Sequence, residues 1–193
     1  GSYGKLMKAY YAKQDAEKLS GKGDTSQKLT LMKTSADSLK KSADALNDSS
    51  LWEKKKIKKK DEKTGEEIEV EDYDWDKITK AVKSFVEDYN DVVKEAGESN
   101  TKDVLRNASW MTGMTDKNSN MLAKIGITIG KGNKLELDED ALKQADISSL
   151  KTVFTGYNSF VSKISQKATG ISNAANRASA TYTNNGTYSK TDS

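Results

Sequence analysis

The sequence predicts a mainly α-helical fold with two small β-hairpins, arranged as an elongated helical bundle or coiled-coil-like rod. Three observations predict it. Apolar residues recur at alternating spacings of three and four along three long segments, the period of a helix with one buried stripe. Proline is absent from all 193 residues, so no helix is interrupted by a missing backbone donor. The hydrophobic fraction is 34% against 32% charged, which favours helices burying narrow stripes over a thick core.

The first helix is expected from about Tyr3 to Ser20, with Leu6, Ala9, Tyr10, Ala16 and Leu19 inward. Gly21-Lys22-Gly23-Asp24 reads as a turn, with Asp24, Thr25 or Ser26 capping the next helix. That second helix carries Leu29, Met32, Ala36, Leu39, Ala43 and Leu46 on one face and ends at Asn47-Asp48-Ser49-Ser50. Between Leu51 and Trp75 the basic block WEKKKIKKK meets the acidic block DEKTGEEIEVEDYDW, which reads as a charge-paired hairpin. A turn at Thr64-Gly65 places Lys60 opposite Glu69 and Lys58 opposite Glu71, with Ile57, Ile68 and Val70 on the other face. Each opposite-charge pair contributes roughly 0.2–1 kcal/mol, and Glu62 facing Glu67 is the cost of this register.

The third helix runs from Asp74 or Asp76 to Gly97, with Ile78, Val82, Phe85, Tyr89, Val92 and Ala96 inward. A shorter helix spans Thr101 to about Met111, with Gly113-Met114-Thr115 as a break before a turn through Met121 and Leu122. Ile125–Ile129 and Leu135–Leu137, joined by Gly130-Lys131-Gly132-Asn133, form the second hairpin, at about 125–137. Asp138 caps a short helix through Ala141, Leu142 and Ala145. The last long helix, 156–180, shows Tyr157, Val161, Ile164, Ala168, Ile171, Ala175 and Ala178 at heptad spacing. Residues 1–180 thus read as one elongated domain, with the charged hairpin inserted at about 51–75, and 181–193 as a flexible polar tail.

The chemistry available is narrow. There is no His and no Cys, which removes the commonest acid–base group, Ser-His-Asp and cysteine nucleophiles, and the usual zinc ligands. The near balance of 32 basic and 29 acidic residues argues against non-specific nucleic-acid binding. No stretch approaches the ~20 apolar residues of a membrane span, and the first residues carry no apolar signal-peptide core. Gly130-Lys131-Gly132 lacks the spacing of a phosphate loop, and Asp138-Glu139-Asp140 reads as a helix cap before a metal site. A phosphate patch at Lys54–Lys60 is offset by the acidic strand beside it. Catalytic, cofactor-binding and metal-ligating residues are all expected to be absent. The aromatic residues Tyr10, Tyr11, Trp52, Tyr73, Trp75 and Trp110 remain open between interface anchors and ordinary core.

One region has a family likeness. Ile78 with Phe85-Val86-Glu87-Asp88-Tyr89-Asn90, then Leu122-Ala123-Lys124-Ile125-Gly126-Ile127-Thr128, then Gly132, Leu135-Glu136-Leu137-Asp138-Glu139 and Leu142, closing at Val153-Phe154, resembles the C-terminal region of the flagellar filament-cap (hook-associated capping protein) family. The resemblance implies a secreted bacterial protein at the filament tip, with flagellin or other flagellar proteins as partners and no bond chemistry. It further implies a homo-oligomer at the cell surface, with a cytoplasmic location as the alternative. Phe85, Tyr89, Val92, Ile164 and Ile171 are the candidate subunit seam, or else an intramolecular core. The competing reading is a small helical binding module, an adaptor or export chaperone, that uses exposed aromatic residues.

Overall fold

The computed structural model describes residues 4–9 and 23–184. Helix α1 occupies residues 4–9 and buries Leu6; the rest of the expected first helix, with Tyr10, Tyr11, Ala16 and Leu19, lies outside the described residues. The frame is built by α2 (Ser26–Leu46), α3 (Trp75–Gly97), α4 (Lys102–Lys117) and α8 (Phe160–Asn184). Each packs on the next around a ring, α2 on α3, α3 on α4, α4 on α8 and α8 on α2. Thr25 starts α2 by accepting the Lys28 N–H at 3.1 Å, and Asp74 starts α3 by accepting the Lys77 N–H at 3.1 Å.

Cross-helix bonds give the directions. Ser172 donates to Asp37 at 2.6 Å and Ser165 to Asp44 at 2.7 Å, so α8 runs antiparallel to α2. Lys28 reaches the Glu98 carbonyl at 3.4 Å, which sets α3 antiparallel to α2. Asp103 faces Arg177 while Trp110 lies under Lys167, so α4 and α8 are antiparallel as well. The result is an up-down-up-down four-helix arrangement in which α4 is the fourth wall. The expected break at Gly113-Met114-Thr115 does not occur, and α4 continues to Lys117. Met111 and Thr115 are buried there, and one glycine's propensity cost of about 1 kcal/mol is less than that burial returns.

Asp24 fastens the open end of the bundle. Its carboxylate accepts the Asn100 N–H at 2.8 Å, the Ser99 hydroxyl at 2.8 Å and the Thr101 hydroxyl, joining the start of α2 to the α3–α4 link. At the other end, Trp52 stacks on Phe154 with centroids 5.6 Å apart and donates its indole N–H to the Leu46 carbonyl at 2.7 Å. Phe85 sits edge-on to both Phe154 and Phe160, each at 6.4 Å.

The remaining elements line the α3 side and that end: α5 (Ser119–Ala123), the pair β3 (Ile127–Ile129) and β4 (Leu135–Leu137), α6 (Glu139–Gln144) and α7 (Ile147–Phe154). Asp138 caps α6 through the Ala141 N–H at 3.1 Å, as the residue type suggests. Helix α7 has no counterpart in the periodicity reading, because eight residues are too few to show a repeat; it buries Leu150, Val153 and Phe154. Helix α8 begins later than 156, after Gly156 turns at φ 104°, and is helical through Asn184.

The charged hairpin forms from β1 (Lys55–Lys60) and β2 (Glu67–Asp72), but in another register. Lys60 faces Glu67, Lys58 faces Glu69 and Lys56 faces Glu71, two residues from the expected pairing. The loop is wider than a two-residue turn: Asp61 donates its N–H to Glu66 O and accepts from the Gly65 N–H, both at 2.8 Å, with Gly65 at φ 72°. A slip of two keeps every side chain on its face, so the Lys–Glu pairing survives and the Glu62–Glu67 clash disappears.

Two outcomes test this frame. Gly126 has φ 90°, and a Cβ there would lie 2.7 Å from the Asp138 carbonyl oxygen and 3.0 Å from the Leu142 nitrogen. Gly126→Ala is expected to destabilise by about 2 kcal/mol or more in urea unfolding, since both neighbours are backbone. On α2, burial raises the carboxyls of Asp37 and Asp44, but hydrogen bonds from Lys33 and Ser172, and from Lys40 and Ser165, outweigh it and hold both below the usual range. Groups depressed in the folded state add stability above the unfolded pKa of about 3.9, which is lost as pH falls through their folded values. Thermal melts from neutral to acid pH should therefore show a shallower acid loss in Asp37→Asn/Asp44→Asn than in the parent chain.

Candidate functional site

Two surfaces stand out from the buried frame. The first is the β1–β2 arm, whose one face is a ladder of Lys56, Lys58 and Lys60 against Glu71, Glu69 and Glu67. Its other face carries Ile57 opposite Val70 and Lys59 opposite Ile68, with Ile68 39% exposed. Lys59 crosses to Asp72 at 2.6 Å; that bond, and the Tyr73 N–H, hold the Asp72 carboxyl below its ordinary range. At the arm's root Tyr73 meets Trp75 edge-on at 6.0 Å, and Lys54 lies 5.7 Å from the Tyr73 ring centre.

The second surface is a groove of about 490 Å³ between α4 and α8, lined by Trp110, Met114, Asp116, Lys117, Asn118 and Lys163. Trp110 is 47% exposed, with the Lys167 ammonium 4.8 Å from its ring centre. The open question over the aromatic residues thus divides by position. Trp52 is core, Tyr73 and Trp75 are half-buried at the arm's root, Trp110 is exposed, and Tyr10 and Tyr11 lie outside the described residues.

The five candidate seam residues have a different fate. Phe85, Tyr89, Val92, Ile164 and Ile171 are all buried within the chain itself. The Tyr89 hydroxyl donates to Thr115 at 2.8 Å, and burial pushes its pKa upward. The intramolecular side of the expectation therefore describes where they sit. Heptad spacing cannot make that distinction, because a stripe facing a neighbouring helix and one facing another subunit have the same period.

Asp138 caps α6, and among the described residues no three acidic side chains gather as a metal site would. Burial raises the Asp88 carboxyl against a Ser42 hydrogen bond, with Asp91 and Glu87 adding to the rise. Asp88 does not line the groove. Gly130-Lys131-Gly132 is a hairpin link containing a 3-10 turn, Lys131–Asn133, and does not open a helix toward a ligand.

The residues of the family likeness have packing roles that sequence alone does not display. Asn90 donates to the Leu135 carbonyl at 3.0 Å and accepts the Leu135 N–H at 2.7 Å, acting as a strand partner for β4. This bond pair joins the block ending at Asn90 to the block that contains Leu135. Placing a charge in the core follows directly as a test. Phe85→Asp or Ile164→Asp is expected to abolish cooperative helical unfolding, exceeding the 3–5 kcal/mol typical of emptying a Phe site; circular dichroism melts check this, and a folded, lower-mass species would contradict it.

Residues 99–193 match the family model described as Flagellar hook-associated protein 2 C-terminus. The match covers the blocks from Leu122 to Leu142 and Val153-Phe154, and begins after the Ile78–Asn90 block. No curated protein and no solved structure matches the chain. The segment 99–193, nearly half of this chain, is thus a C-terminal region of the flagellar filament-cap family.

Proposed function

We propose that this protein is a non-enzymatic structural component of the flagellar cap class, exported to the cell surface, self-associating, and in contact with flagellin-type subunits. The observation that carries the reading is the family match over residues 99–193. The fold supports it: the matched segment supplies α4 and α8, and these pack with α2 and α3 in one bundle from which a hairpin arm extends. The lack of His and Cys is consistent with a role without bond chemistry. No helix among the described residues is long and apolar enough to cross a membrane.

Self-association would use exposed surface, because the heptad stripes are already buried within the chain. A second reading, a helical binding module, is favoured by one observation, the exposed Trp110 in its lysine-flanked groove. Light scattering combined with small-angle X-ray scattering over a concentration series separates the two. A multimer that grows with concentration is expected. A compact monomer at every concentration would remove the self-associating reading and favour the binding module.

A further inference from the structure

We propose that the β1–β2 arm is the joint between copies of this chain, formed head to tail by adding the basic edge of one arm to the acidic edge of the next. The inference rests on the self-association proposed above and assigns it a surface, an orientation and a code.

The backbone provides the joint. Among the described residues β1 and β2 form a two-stranded sheet, so each strand has one unpaired edge. Asp61 donates to Glu66 across the pair, and hydrogen-bonded pairs alternate along an antiparallel ladder. Lys59–Ile68, Ile57–Val70 and Lys55–Asp72 are then the bonded pairs. The N–H and C=O groups of Lys56, Lys58 and Lys60 point away from the hairpin on one side, and those of Glu67, Glu69 and Glu71 on the other. The residues whose backbone is free to bond outward are thus the ones that carry the charged ladder.

The charges choose the partner. Lysine on an edge strand ordinarily prevents edge-to-edge pairing. Here one edge is basic and the other acidic. Two β1 edges would set lysine against lysine, and two β2 edges glutamate against glutamate, both destabilising. A β1 edge beside the β2 edge of another copy repeats the Lys–Glu ladder already inside the arm. Antiparallel addition in that order keeps the charged face continuous and lines up Ile57, Val70 and the 39%-exposed Ile68 on the other face. An isolated two-stranded hairpin is marginal in water, and further strands covering such a face stabilise it. Because the two edges differ, the contact is heterologous, and its repetition closes a ring or extends a filament according to the rotation per step.

Proline at an outward-facing position removes the outer N–H without breaking the hairpin's own ladder. Lys58→Pro blocks the β1 edge and Glu69→Pro blocks the β2 edge. In the 193-residue chain, each variant alone should lose all species above monomer by light scattering, with helical melting unchanged. Mixed in equal amounts, they should form a one-to-one dimer and nothing larger, because one open β2 edge meets one open β1 edge. Assembly by only one of the single variants would mean like-edge pairing and overturn the proposal. A mixture that stays monomeric, or single variants that assemble like the parent, would also overturn it; in the latter case self-association survives through another surface. A parent chain that is monomeric at every concentration defeats both this joint and the reading on which it rests.

Discussion

The antiparallel seam between α2 and α8 is the constraint on which the rest of the structure depends. It brings the early helix and the last helix together along their length, with Leu29, Met32, Ala36, Leu39, Ala43 and Leu46 buried on one side and Val161, Ile164, Ala168, Ile171 and Ala175 on the other. Its flank is polar with the same heptad repeat: Lys33–Asp37 and Lys40–Asp44 ion pairs, each carboxylate also receiving a serine hydroxyl from α8. The ion pairs are exposed and contribute little by themselves. The serine bonds add register, since sliding α8 by one turn would break both at once. The bonds between Asn47 and Gly156, at 2.8 and 3.2 Å, fix the same alignment at the seam's end.

Once that seam closes, the intervening chain has to leave the bundle and return to it. It does so twice, and the two excursions differ in fate. The segment holding β3, β4, α6 and α7 folds back onto α3, tied by Asn90 to Leu135 and by the close approach of Gly126 to the α6 backbone. It buries Ile125, Ile127, Leu142, Val153 and Phe154. The β1–β2 arm buries little beyond its root and presents mostly charge to water. A short link would suffice to join α2 to α3, so the arm is not needed to close the bundle.

The family likeness acquires a physical meaning in this frame. Phe85 holds the aromatic cluster with Phe154 and Phe160, Tyr89 satisfies Thr115 across to α4, and Asn90 pairs with the β4 backbone. Gly126 is required by its positive φ and by backbone on both sides of the missing Cβ. These are positions of packing and backbone geometry.

The sequence by itself left the α2 cap open among Asp24, Thr25 and Ser26 and the α3 start between Asp74 and Asp76, and it placed the exposed Tyr157 inward. It determined the helical class, the other stripe residues of the long helices, the two hairpins, the Asp138 cap and the face on which each arm residue lies. All of these depend on local periodicity or on bonds within a few residues, which a linear reading contains. Only the tertiary structure decided which stripes face each other, that α4 is a fourth wall running through Gly113, and that Phe85, Tyr89, Val92, Ile164 and Ile171 are core. It also decided that the arm's loop holds four residues, moving the strand register by two. The physical reason is that period and face survive such a shift while partner identity does not: an apolar stripe records that something covers it, and only the closed chain determines what.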